Sequence, residues 1–203
     1  MRILNISVCT LIVLIVSSCN LHGQQNRANA QAINNRALKL YQEHSNDKDS
    51  LERAITLLDS AIKIYPTYKL AYINKGAIYC LLGSYQEMLK VLDKAIVLDK
   101  ENPQLFIIQG HILEKTGRNY EAMLKYRKAD SIYSTLIKSK PNSIRDKVDK
   151  AYLQCFLTNK EQGIIEYEKI ANSNTDPYVA SAKTLFYDFN RGDFIKNFCL
   201  PVN

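Results

Sequence analysis

The chain has 203 residues, 46% of them hydrophobic and 23% charged, with a formal net charge of +7 and no tryptophan. That is enough apolar material to bury a sizeable core in one domain, and it excludes a disordered chain and a long membrane protein. The lysines are spread among glutamates and aspartates, with no basic block interleaved by aromatics, which argues against a nucleic-acid-binding protein.

At the N-terminus Arg2 gives a basic start, and the run from Ile3 to Val16 is mostly apolar but broken by Asn5, Ser7 and Thr10. A run this short suits the apolar core of a secretory signal over residues 1–18 better than a membrane span of about 20 residues. It ends in Val16-Ser17-Ser18-Cys19, which resembles the bacterial lipobox, a branched apolar residue and two small ones before an invariant cysteine. The resemblance implies that Cys19 is the lipid attachment site and first mature residue, carrying thioether-linked diacylglycerol and an acylated amine. Two or more chains anchor stably where one does not. Asn20 stands where some inner-membrane lipoproteins carry a retaining aspartate, which favours the outer membrane, with the protein facing the periplasm. Residues 19–31 are polar and lack apolar periodicity, as expected of a flexible tether, and His22 lies in it without a partner nearby.

Helices are expected at roughly 32–46 and 50–64, 69–82 and 85–99, and 103–116 and 119–138. Leu51, Ala54, Ile55, Leu58 and Ile62 give the second of these one apolar face, with Asp49 or Ser50 as its cap. Pro66 and Pro103 fall at turns or first helical turns, where a missing amide is harmless.

The helices repeat. Gly76 and Gly83 reappear as Gly110 and Gly117, and Ala61 as Ala95 and Ala129, each step being 34 residues. That period fits two antiparallel helices and a turn, a unit that cannot bury its apolar face alone. The units 35–68, 69–102 and 103–136 resemble the tetratricopeptide repeat (TPR). The middle one supplies Tyr72, Gly76, Tyr79, Gly83, Tyr85, Leu92 and Ala95 at the family's positions but has Met88 for a small residue and Lys100 for proline. The third supplies Phe106, Gly110, Leu113, Gly117, Ala122, Tyr126 and Ala129. The small residues mark where helices cross, since glycine inside a helix costs about 1 kcal/mol and is plausible only where close packing offsets it.

Beyond Leu136 the register slips, and Pro141-Asn142-Ser143 breaks the helix before a degenerate fourth pair at about 143–158 and 160–172, within 144–176. A capping helix opens at Asp176-Pro177, within a cap of 177–203, and the tail folds Phe194 and Phe198 underneath. Arg191-Gly192-Asp193 spells an adhesion tripeptide but reads as a helix end, with Gly192 in a left-handed turn. The fold implied over 32–203 is all-α, a right-handed α-α superhelix of about four helix pairs plus a cap.

Cys80, Cys155 and Cys199 remain once Cys9 and Cys19 are set aside. Cys80 and Cys155 read as buried, unreactive thiols, and neither the cysteines nor His22, His44 and His111 have the spacing of a metal site. No cofactor is expected.

The resemblance places ligands on the concave face lined by the first helix of each pair. Here that face comprises Leu70, Ile73, Asn74, Ala77 and Leu81, then Gln104, Ile107, Ile108, His111, Glu114 and Lys115, with Lys39 and Glu43 from the first unit. An apolar centre with a polar rim suits an amphipathic helix or extended peptide of another envelope protein. The carboxylate clamp of chaperone-binding relatives is not expected, because only Lys39 and Asn74 match its five positions while Glu43, Gln104 and Ile108 depart from it. His111 with Glu114 is the one pair with the look of acid–base machinery, but no nucleophile accompanies it, so no enzyme is expected. Two further readings stay open, a structural subunit of an outer-membrane assembly using the convex face or the ends, and a small-molecule site or enzyme near His111 and Glu114.

Overall fold

The structure, a computed structural model, describes the backbone of residues 4–199 and the side chains of residues 23–199. The side chains of the expected signal segment and of Cys19 lie outside the described residues. Among the described residues there are ten helices and no strand, and no helix is long and apolar enough to cross a membrane. The chain forms two compact units, one ending at Leu82 and the other beginning at Gly83, inside the middle repeat.

The first unit contains α1 (Leu4–Glu43), α2 (Lys48–Ile64) and α3 (Lys69–Leu81). Its core is Ala30, Ala37, Leu51, Ala54, Leu58, Ala61, Ala71 and Ile78, so the small residues read from the repeat lie at helix contacts. Residues 24–31 are helical, not a tether. The reason is local and tertiary together. Ala28, Ala30 and Ala32 favour a helix, and Ala30, seven residues before Ala37, is fully buried in the same core. The cap of α2 is Asp47, whose carboxylate accepts from the Ser50 amide at 3.1 Å, two or three residues earlier than the sequence suggests.

The second unit contains α4 (Tyr85–Leu98), α5 (Pro103–Lys115), α6 (Asn119–Ser139), α7 (Ile144–Leu157), α8 (Lys160–Ala171), α9 (Pro177–Tyr187) and α10 (Arg191–Asn197). Asp176 caps α9, accepting from the Tyr178 amide at 2.8 Å, and α9 packs on α7 and α8 as the expected cover. The turn after α5 needs Gly117, which has φ +78°. Its amide donates to Glu114 O at 2.9 Å and that of Arg118 to Leu113 O at 2.8 Å, the paired bonds of a Schellman motif. Gly192 does not end a helix. It lies in the first turn of α10, capped by Asn190, whose side chain accepts from the Asp193 amide at 3.0 Å.

Gly110 marks a close crossing of α5 and α6. A Cβ built there would meet Tyr126 Cε1 at 2.2 Å, and Tyr126 is fully buried. Gly110→Ala is therefore expected to cost a net 2 kcal/mol or so, the overpacking strain exceeding the gain of about 1 kcal/mol in helix propensity. A lower urea midpoint at unchanged m-value checks this, and a raised midpoint would mean that the tyrosine ring yields.

Cys155 is a free, buried thiol as expected, pushed up to about 11 by burial, whereas Cys80 is disulfide-bonded rather than a thiol, and so is Cys199.

Candidate functional site

In the first unit Lys39 and Glu43 stand on the exposed side of α1, one turn apart and 3.8 Å from each other. Leu70 is 49% exposed, while Ile73, Asn74, Ala77 and Leu81 are half-buried on α3. Asn74 is held by the fold, its amide donating to Asn34 Oδ1 at 2.8 Å, and Asn34 is buried. Leu81 packs against the unit's core.

In the second unit, α5 starts from an Asn102 cap with Pro103 in its first turn. Gln104, Ile107, Ile108, His111, Glu114 and Lys115 recur at intervals of three and four, one stripe along the helix. The stripe is already in use. Gln104 donates to Tyr133 Oη at 2.6 Å and to Asp149 Oδ2 at 3.1 Å, and Tyr178 donates to the other oxygen of Asp149 at 2.8 Å. Burial and the Asp149 charge push the Tyr133 hydroxyl well above the ordinary phenol range. Ile107 packs against the core, and Ile108 is half-buried.

At the other end of the stripe the chain's own tail sits on α5. Arg191, the first residue of α10, donates from Nε to Glu114 Oε1 at 2.7 Å and from Nη2 to Glu114 Oε2 at 3.0 Å, a two-pronged ion pair. Its Nη1 donates to the Phe156 carbonyl at 2.8 Å. Lys115 Nζ donates to the carbonyls of Ile195 and Lys196 at 3.2 and 2.6 Å, filling two of the acceptors that the end of α10 leaves open. The rings of Phe194 and Phe198 lie 4.9 and 5.1 Å from that of His111, both edge-on.

His111 and Glu114 meet through a third group. The Tyr126 hydroxyl donates to Glu114 Oε2 at 2.9 Å, and His111 Nδ1 lies 2.9 Å from the same oxygen. The phenol has one proton and gives it to the carboxylate, so Nδ1 carries the other and donates to Tyr126 Oη. Burial, followed by the Arg191 charge, lowers the His111 pKa to about 3, so the imidazole is neutral at any ordinary pH. The Tyr126 hydroxyl is pushed far up by burial and by Glu114. The result is a relay in which a neutral histidine donates to a phenol, which donates to a carboxylate locked by a guanidinium. The arrangement ties α5, α6 and α10 together and is suited to holding a segment in place.

Of the predicted residues, the structure therefore brings His111, Glu114 and Lys115 together and places them under the tail, while Gln104 belongs to a separate network. The residues that sequence reasoning missed are Arg191, read as part of a helix end, Tyr126, read as a repeat position, and Phe156, which it did not single out. Phe194 and Phe198 had already carried a signal, an aromatic pair four residues apart in the tail. A cleft of about 970 Å³ between α6, α7 and α8, with Lys147, Lys150 and Glu166 among its lining, includes none of the predicted residues.

No protein-family model matches the chain, and no curated protein sequence does. Among solved structures it is similar to PilF of Pseudomonas aeruginosa, at 19% identity over 81% of this chain and 70% of that one, with a TM-score of 0.53. It also resembles YrrB, described as a TPR protein with an unusual peptide-binding site, at 19% identity over 79% of this chain and 94% of that one, with a TM-score of 0.40. A variant of the O-GlcNAc transferase of Thermobaculum terrenum is similar at 16% identity over 73% of this chain and 28% of that one, with a TM-score of 0.47. At such identities the likeness is one of fold. The fold is all-α and of the tetratricopeptide-repeat type.

Proposed function

We propose that this protein is a lipid-anchored interaction module of the bacterial cell envelope, tethered to the outer membrane on its periplasmic side, that holds a short helix or peptide of another envelope protein on its first-of-pair helices. The observation that carries this reading is the way α5 already receives a helical segment. A carboxylate takes an arginine, a lysine takes terminal carbonyls, and a histidine ring lies against two phenylalanines. Such a surface recognises a short amphipathic helix by its side chains and by its end. Support for the anchor is the Val16-Ser17-Ser18-Cys19 ending after an apolar run.

Two measurements test the two halves. Cys19→Ala is expected to move the mature protein from the membrane to the soluble fraction, and unchanged partitioning removes the lipid from the proposal. A photo-crosslinking residue at Leu70, exposed on the face of α3 that the repeat assigns to ligands, is expected to give one discrete adduct in intact cells. The absence of any adduct there and at Ile73 would sink the module as read.

A second reading, a structural subunit that docks through its outer helices, has one observation in its favour. Tyr120 and Leu124, one turn apart on α6, are 78% and 45% exposed. Adducts at these two positions and none on α3 would select it.

A further inference from the structure

We infer that the cleft between α6, α7 and α8 is a second binding site, and that its ligand is a small organic acid, one carboxylate on an aliphatic body. The inference goes beyond the interaction-module reading, since the cleft shares no residue with the stripe on α5.

The cleft is made where the chain departs from its own repeat. The third unit closes at Leu136 and the fourth opens at Ile144, so residues 137–143 are seven more than the 34-residue step requires. They extend α6 to Ser139, giving it 21 residues against the 14 of α4, and they contribute Ile137 and Asn142 to the lining. The second departure is Ile170, which stands where the earlier units carry Ala61, Ala95 and Ala129. Those alanines are fully buried, whereas Ile170 is half-buried and lines the cleft from α8. With Ile144 and Ala151 of α7, the two isoleucines make the apolar part of the lining. The space of about 970 Å³ is that of clefts that hold small molecules.

The polar part of the lining carries a positive charge that the chain itself does not neutralise. Its two carboxylates are both engaged. Asp130 Oδ1 accepts from Gln154 Nε2 at 2.9 Å and lies 3.7 Å from Lys150 Nζ. Glu166 Oε1 accepts from Gln162 Nε2 at 2.9 Å and from Lys169 Nζ at 2.8 Å. Lys147, half-buried on α7, has no ion pair and no hydrogen bond among the described residues. Lys150 uses one of its three donors on Ser134 Oγ at 2.8 Å. The two lysines are three apart on α7, the spacing at which like charges on a helix meet and repel. An anion bound by both relieves that repulsion and takes donors that the chain leaves over.

The same inventory sets the ligand class. Three lysines against two carboxylates leave one positive charge, which matches a monoanion such as a carboxylate better than a phosphate with its charge near −2. No aromatic ring lines the cleft, so the body that meets the isoleucines is aliphatic.

The test uses the purified protein carrying Cys19→Ala, so that no acyl chain attached there can compete, with octanoate as the probe. Octanoate is expected to saturate one site and to shift the backbone amide resonances of residues 137–154 and 162–173 while leaving those of α5 in place. Octanol and octylamine, which share the tail but not the charge, are expected to bind about tenfold or more weakly. Lys147→Gln is expected to weaken octanoate binding about tenfold, while Lys128→Gln, an exposed lysine of α6 outside the cleft, leaves it unchanged. Restoring the alanine of the repeat with Ile170→Ala is expected to weaken it several-fold through lost apolar contact. The resonance map of the unmutated cleft keeps the proposal falsifiable should a variant fail to fold. No saturation by about 10 mM octanoate, amides of 137–154 and 162–173 that do not move, or equal affinity for octanoate and octanol overturns the site. Acetylated trileucine binding tenfold more tightly than octanoate would give the cleft to a peptide terminus and overturn the small-acid assignment. Neither result bears on the Leu70 crosslink, which reads the first unit.

Discussion

Phe156→Ala is expected to cost about 3–5 kcal/mol, the range for deleting a fully buried phenylalanine, and to be among the most damaging single truncations in the second unit. Phe156 is 1% exposed, and its ring centre lies 4.6 Å from that of His111, 5.4 Å from Tyr126, 5.1 Å from Phe189 and 5.3 Å from Phe194. It thus joins α5, α6 and α7 to the tail through rings alone, and its backbone carbonyl receives Arg191. Four rigid rings cannot collapse into the space it leaves, so the cavity term is expected near the top of its range. The loss would remove a large part of the 5–15 kcal/mol typical of a whole domain. Urea melts of Phe156→Ala beside Ile165→Ala, a residue 47% exposed on α8, check the assignment. The control is expected to change stability by no more than about 0.5 kcal/mol. A loss below about 1 kcal/mol for Phe156→Ala would show that the core is centred elsewhere.

The second large effect is a loss of stability in mild acid that belongs to His111. In the folded protein its pKa is lowered to about 3, against an ordinary value of 6.5, because burial excludes the charged ring and Arg191 repels it. A group with a depressed folded pKa binds more protons when unfolded, so its contribution is complete above about pH 6.5 and drains away as pH falls toward 3. The expected loss from this one group is about 2 kcal/mol at pH 5 and about 3 kcal/mol at pH 4, relative to pH 7.5. Urea midpoints of wild type and His111→Gln across that range supply the check. The variant starts less stable but is expected to show a flatter profile between pH 6.5 and 4. A profile parallel to wild type would assign the acid sensitivity to the carboxylates instead.

Much of the architecture was legible because the repeat is written in small residues. Ala54, Ala61, Ala95, Ala122, Ala129 and Gly110 are buried where the 34-residue step puts them, and the boundaries of α3 to α8 fall within a residue or two of those read from periodicity. Two regions were not legible, for different reasons. Residues 24–31 carry alanine, glutamine and asparagine without a stripe of large side chains, so nothing in the pattern separates a helix from a tether, and burial of Ala30 decides it. The helix α10 is too short to be encoded by its own sequence and exists through Glu114 and Lys115, about 80 positions away. For the same reason the sequence left open whether the stripe on α5 is covered, and it is the distant tail that covers it. Periodicity reports which side a residue takes and is silent on what a distant segment brings to it. The pairing of His111 with Glu114 was a sound reading of proximity. The intervening Tyr126, contributed by another helix, gives the pair a structural meaning.

The packing of α8 on α7 has one practical outcome. Gly163 leaves room for the Cys155 sulfur, which would lie 2.2 Å from a Cβ at that position, and the thiol is 1% exposed, its pKa pushed up to about 11 by burial. A sealed sulfhydryl of this kind is a clock. Alkylating reagents reach it only when the two helices part, so its modification rate, followed against temperature or denaturant, times the breathing of the second unit in unlabelled protein. Cys80 and Cys199, both disulfide-bonded, stay silent in that assay as long as no reductant is added.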